Sequence, residues 1–153
     1  QAVLDLGSSG FTLSPEDTRD NMRMLLAGFG DKATVIVYQD TPLFYSASCA
    51  YANLAGRCHG KEDCRQQSLL LKLAGGERVL AIQDRCQTVV VNDTPFCIAD
   101  RVVELRGMGA RNLRVDFIWQ TYTPAQARDV WRQIRSGRTP PRGHTANFTR
   151  GLM

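Results

Sequence analysis

The chain has 153 residues, 43% of them hydrophobic and 22% charged, which suits one globular domain with a sizeable core. Its net charge is +4, from 3 Lys and 16 Arg against 15 acids. The arginines are scattered, so they read as solvated surface before they read as an RNA-binding stripe. No apolar run reaches the roughly eighteen residues that a membrane-spanning helix needs.

The first residues, QAVLDLG, lack an initiator Met and read as part of a structural element, so the chain is expected to be a fragment of a larger domain. Four places then carry the same punctuation: LSP at Leu13–Pro15, DTP at Asp40–Pro42, DTP at Asp93–Pro95 and YTP at Tyr122–Pro124. Each follows a strand-like run: GFTL, TVIVYQ, TVVVN and LRVDFIW. Ser or Thr before Pro is a helix-start signal, because the hydroxyl caps free N–H groups and Pro fits the first helical position. After Pro15 the pattern predicts a helix with Met22, Leu25, Leu26 and Phe29 on one face, ending at Gly28 or Gly30. After Pro95, Ile98, Val102, Leu105 and Met108 keep helical spacing up to Gly109. After Pro124, Ala127, Val130, Trp131 and Ile134 do the same up to Gly137, with Thr123 and Gln126 placed as a capping box.

Strand, cap, helix, strand is the grammar of a parallel α/β sheet. The prolines fall 27, 53 and 29 residues apart, so the middle gap is close to two units. One β/α step is therefore read as replaced by a cysteine-rich loop and a hairpin: SLLLKLA, a turn at Gly75–Gly76, and RVLAIQD. The predicted organisation is a β/α unit and strand over 1–44, the cysteine loop and hairpin over 45–86, two β/α units over 87–137, and a tail over 138–153. Such an array resembles part of a TIM-type barrel, which typically needs about 250 residues, or else forms a small open sheet. Part of a barrel would leave strand edges unpaired, open to the missing half of the domain or to a second copy as a homodimer.

Five cysteines without a visible signal peptide argue against a disulfide framework and for a cytoplasmic protein whose thiols bind metal. Cys49, Cys58, Cys64 and Cys86 have the spacing C-x8-C-x5-C-x21-C. Structural zinc usually takes ligands in close pairs, which are missing here, although zinc stays open as the alternative metal. Wider spacings suit loops wrapped around an iron–sulfur cluster. Ala50, Ala52, Ala55, Gly56 and Gly60 keep that loop small enough for close approach, while Arg57 and Arg65 stand to offset thiolate charge. His59 is the alternative ligand, and Cys97 is read as a small buried hydrophobe on the first turn of a helix. Neither histidine belongs to an H-E-x-x-H motif and no G-x-S-x-G elbow occurs. Asp116, on the strand LRVDF, and Glu16, at a helix start, are the candidate acid–base or substrate-holding residues, because both are placed to face the end where α/β folds carry their sites.

The segments FTLSPE, VIVYQDTPLFYSASC, QDRCQTVVVNDTPFCIADRVVELRGMGARNLRVDF and FTRGLM, in that order, resemble the collagenase-like peptidases of family U thirty-two. The resemblance covers nearly the whole chain. It implies the second half of a barrel domain and a four-iron four-sulfur cluster on Cys49, Cys58, Cys64 and Cys86. It also implies either a peptidase acting on proteins or an oxygen-independent hydroxylation of RNA bases or ubiquinone precursors. A third reading makes the metal a staple in a non-catalytic binding module for RNA or protein. The sequence departs from the family in lacking the first half of the domain and in its hairpin between the third and fourth cysteines.

Overall fold

The computed structural model describes residues 2–58, 60, 68–138 and 143–150. In chain order the elements are α1 (Ala2–Asp5), β1 (Phe11–Thr12), α2 (Arg19–Phe29), β2 (Ala33–Gln39), β3 (Pro42–Ser46), α3 (Ala50–Ala55), β4 (Ser68–Lys72) and β5 (Arg78–Asp84). There follow β6 (Gln87–Asn92), β7 (Phe96–Cys97), a 3-10 turn at Ala99–Arg101, α4 (Val102–Gly107), β8 (Asn112–Val115), α5 (Pro124–Arg135) and α6 (Asn147–Arg150). They sort into two compact units, one of residues 1–39 with 95–153, the other of residues 40–94.

The first unit is built on β2. ATVIVYQ is apolar on both faces and only Thr34 and Gln39 are not buried, as expected for a strand inside a parallel sheet. β1 and β8 both run parallel to it, with Phe11 opposite Ala33 and Leu113 opposite Val35. β7 runs antiparallel, with Cys97 opposite Tyr38. A register shift between Ile36 and Tyr38 lets β8 follow one edge of β2 while β1 and β7 share the other. The core joins Met22 and Leu26 of α2, Val35 and Val37 of β2, Phe96, Ile98, Leu105, Ile134 and Phe148, all buried.

The periodic faces lie where the pattern put them, with Met22 and Leu26 buried and Leu25 and Phe29 packed against the core. The capping box of α5 is present in full: the Thr123 hydroxyl accepts from the Gln126 N–H, and the Gln126 side chain accepts from the Thr123 N–H. The other punctuation marks open no helix. Ser14–Asp17 is a turn, closed by the Asp17 N–H to the Ser14 carbonyl, and α2 starts four residues past Pro15, with Thr18 as its cap. Pro42 begins β3, and Pro95 leads into β7, so Cys97 lies on a strand and not on a helical turn. A Thr-Pro pair fixes only its own backbone. After Pro42 no amphipathic period follows and the chain stays extended and pairs, whereas after Pro95 the predicted helical spacing takes hold two residues late, from Ala99 through Gly107.

The second unit is an antiparallel sheet in the order β3-β6-β5-β4. The predicted hairpin is its β4–β5 pair, with Leu70 opposite Leu80. The larger difference is TVVVN, read as the opening of a β/α unit. It is β6, the strand between β3 and β5, with Val89 opposite both Tyr45 and Ile82. The inserted segment is thus a four-stranded sheet with its own small core of Val79, Ala81 and Val90. The molecule is mixed α/β, with one partly parallel and one antiparallel sheet, and no closed barrel forms among the described residues. No helix among them is long and apolar enough to cross a membrane.

Candidate functional site: the cysteine end of the antiparallel sheet

The strand directions of the second unit decide where its cysteines go. β3 ends at Ser46, opposite Thr88 near the start of β6. β5 ends at Asp84, opposite Gln87, and β4 begins at Ser68, opposite Ile82. One end of the sheet therefore carries the exit of β3, the entry to β4 and the β5–β6 turn. Cys49 lies three residues past β3, Cys86 sits in the β5–β6 turn, and Cys64 precedes β4 by four residues of sequence. Cys58 falls between, three residues past α3.

Cys49 is held most firmly. It is the N-cap of α3, half-buried, and its sulfur accepts from the Ala52 N–H at 3.4 Å. Gly56 ends that helix at φ 69°, a left-handed conformation that glycine adopts without a Cβ clash. The start of the helix is bracketed to the sheet by Thr88, only 4% exposed. Its hydroxyl accepts from the Ala50 N–H at 2.8 Å and donates to the Ser48 carbonyl at 2.8 Å. The same residue thus fixes the backbone on both sides of Cys49 and stands two positions from Cys86. Cys86 itself is exposed, beside Arg85, whose φ of 50° is unusual for a residue with a side chain. Cys58 is exposed as well. Cys64 and His59 lie outside the described residues.

The four described cysteines are free thiols, and no three His, Cys, Asp or Glu side chains among the described residues stand close enough together to hold a metal ion. Thiolates are donors for a soft metal or cluster, and Cys49 and Cys86 lie on segments that leave the same end of one sheet. Cys97 is of another kind. It is 1% exposed in the core of the first unit, and burial pushes its thiol pKa up, with the Ala99 backbone opposing and the Asp100 carboxylate adding to the rise. A raised pKa keeps it a neutral thiol that packs as a small hydrophobe.

The two candidate carboxylates belong to the first unit and are not brought together as a pair. Asp116 follows β8, and its carboxylate, with a side chain 11% exposed, accepts from Arg114 Nε at 2.7 Å. Its backbone N–H donates to the Tyr38 carbonyl, which extends the β8 ladder by one residue. Glu16 is exposed in the turn after β1, on the other edge of β2, with its N–H on Ser14 Oγ and its carbonyl accepting from Asn147. Sequence reasoning missed what surrounds Asp116. Phe117 packs edge-on against Tyr122 with ring centres 4.8 Å apart, and the hydroxyls of Tyr38 and Tyr122 share a hydrogen bond of 3.1 Å. It also missed Thr88, for which a lone Thr opening an apolar strand is too common a signal.

Replacing Thr88 by Val keeps the shape but leaves the Ala50 N–H and the Ser48 carbonyl without their partner. Losing such a buried bracket costs about 1–3 kcal/mol. Native-state hydrogen exchange of the Val89–Val91 amides is expected to speed up by that free energy in Thr88→Val, and unchanged protection would remove Thr88 as the bracket of Cys49. Compared with protein-family models, curated proteins and solved structures, the chain matches none.

Proposed function

We propose that residues 40–94 form an iron–sulfur unit in which Cys49, Cys58, Cys64 and Cys86 are the thiolate ligands of a four-iron four-sulfur cluster. The unit would serve a redox hydroxylation of an RNA base or a quinone-type ring, as the resemblance to the collagenase-like family suggests. The single observation that carries the reading is placement. The exit of β3, the entry to β4 and the β5–β6 turn share one sheet end, and all four cysteines belong to the segments that join there.

Thiolates repel one another without a cation between them, so ligand loops close as the metal binds, and coordination supplies folding free energy. The protein's contribution is to limit how far those loops must travel: Thr88 and the α3 cap hold Cys49, and the two-residue turn holds Cys86. A bound cluster would supply one-electron transfer. In this reading the first unit, where β1 and β8 flank β2 in parallel and α2 and α5 follow them, is part of a TIM-type barrel.

The test is anaerobic reconstitution of the chain with ferrous iron and sulfide, followed by metal and acid-labile sulfide analysis. About four irons and four sulfides per chain are expected, the content of one cubane cluster. Serine at Cys49, Cys58, Cys64 or Cys86 should lower both counts together, while Cys97→Ala leaves them unchanged. One zinc per chain, taken up in preference to iron and without sulfide, would replace the proposal with a structural staple. Retention of iron and sulfide in the fourfold serine variant would end it.

A further inference from the structure

The first unit contains a pocket of about 520 Å³ between α4, α5 and the start of β8, inside the size range of small-molecule sites. Its floor is apolar: Val37 and Ile134 are buried, and Leu113 and Val115 are half-buried. Trp131 forms a wall and stays 46% exposed although it sits on the otherwise packed face of α5. The remaining wall is basic, with Arg106, Arg111 and Arg135 all lining the pocket and no carboxylate among the lining residues.

We propose that this pocket binds a small organic anion, an apolar body of aromatic or aliphatic character bearing one carboxylate or phosphate head. The floor and Trp131 offer the body an apolar bed and an aromatic face. The guanidiniums match a carboxylate or phosphate head in geometry as well as charge. Arg106 is already placed, since its Nη1 donates to the Ala110 carbonyl at 3.3 Å and the Arg111 carbonyl at 2.8 Å. Those bonds leave the rest of its fork of donors for a ligand. None of the three arginines takes part in an ion pair among the described residues.

Two effects oppose an anion here, and neither is large enough. α4 and α5 both end near the pocket, and each helix C-terminus carries at most about half a negative charge. Three guanidiniums exceed that sum by about two charges. The polar lining is also only partly spent on neighbours: among the described residues, Asn112 donates to the Asp31 carbonyl and Arg106 to those of Ala110 and Arg111. The pocket lies wholly in the first unit, so the proposal stands apart from the cluster and fails or holds independently of it.

The experiment is a titration of the ¹⁵N-labelled 153-residue chain, following the Trp131 indole N–H, which is identified by its loss in Trp131→Phe while that of Trp119 remains. The probes are 2-naphthoate, 2-naphthyl phosphate and the neutral 2-naphthylmethanol. At least one anion is expected to shift the Trp131 signal saturably, and the neutral compound to bind about tenfold or more weakly, as loss of a charge-assisted hydrogen bond implies. The stronger of the two anions identifies the head group. The double variant Arg111→Gln, Arg135→Gln should weaken the anion by a similar factor with its other signals in place. Arg132→Gln, whose side chain pairs with Asp129, should not. The proposal is overturned by equal binding of the neutral probe, by unchanged anion binding in the double variant, or by no response of Trp131 to either anion at millimolar concentration. Tighter binding of a single-stranded RNA oligomer at the same residues would also overturn it, by assigning the arginines to a polymer.

Discussion

Phe96→Ala is expected to lower the stability of the first unit by about 3–5 kcal/mol, the cost of emptying a fully buried aromatic site. Phe96 is 0% exposed on a strand of two residues, and its ring is the largest side chain that β7 places in the core. It meets the His144 ring edge-on, and its neighbour Cys97 donates its N–H to the His144 carbonyl. Removing the ring therefore opens a cavity and also loosens the strand that returns the chain from the second unit. The chain provides a convenient probe, since both tryptophans, Trp119 and Trp131, lie in the first unit. Urea unfolding followed by tryptophan fluorescence reads that unit directly. Phe96→Leu, which keeps most of the volume, should cost no more than about 1.5 kcal/mol. A loss below about 1 kcal/mol in the alanine variant would show that the site collapses freely and that Phe96 is not central to the packing.

The second large effect sets two glycines of one helix end against each other. Gly30 has ordinary helical angles, φ −57° and ψ −29°, so backbone freedom does not explain it. Close approach does. A Cβ there would overlap the Gly109 carbonyl oxygen and lie 2.8 Å from the Leu26 carbonyl oxygen. Both obstacles are backbone, and Gly30 also accepts the Arg111 N–H at 3.2 Å, so the turn after α4 cannot move without breaking that bond. Gly30→Ala is expected to destabilise the first unit by about 3 kcal/mol, the upper range for forcing an extra methyl into a packed site. Gly28 lies two residues earlier on the exposed side of α2, with nothing within 4 Å of an added Cβ. Gly28→Ala should stabilise by about 0.5–1 kcal/mol, because alanine loses less backbone entropy in a helix. The same fluorescence-detected unfolding checks both. Shifts of the same sign in the two variants would contradict the close contact between the end of α2 and the turn after α4.

The boundary between what could be read and what could not is visible in particular residues. Thr123-Pro124 and Asp93-Thr94-Pro95 look alike as strings, yet one caps a helix and the other leads into a strand. The difference lies just downstream: AQARDVWRQIR is helical from the proline on, whereas Phe96 and Cys97 first pair as a strand and the spacing of Ile98, Val102, Leu105 and Met108 gives helix only from Ala99. Asp116 was legible as a charged residue on an apolar strand. Its place on the same face as Arg114 also follows from the two-residue period of a strand; that the two side chains pair there is what the structure adds. Trp131 was legible as part of a core-facing stripe, but it is the member of that stripe which the core leaves partly uncovered.

The sequence by itself determined the local units: the helical stripes of α2 and α5, the apolar runs of β2, β5 and β6, the capping box and the β4–β5 turn. Each depends on side-chain period and backbone preference over fewer than about fifteen residues, which a single chain displays directly. Only the tertiary structure decided that β6 pairs between β3 and β5, that the exit of β3, the entry to β4 and the β5–β6 turn share one sheet end, and that Arg106, Arg111 and Arg135 line one pocket. Those relations join residues through strand register and helix packing, and no local preference records them. The energy that selects them is burial summed over the whole unit.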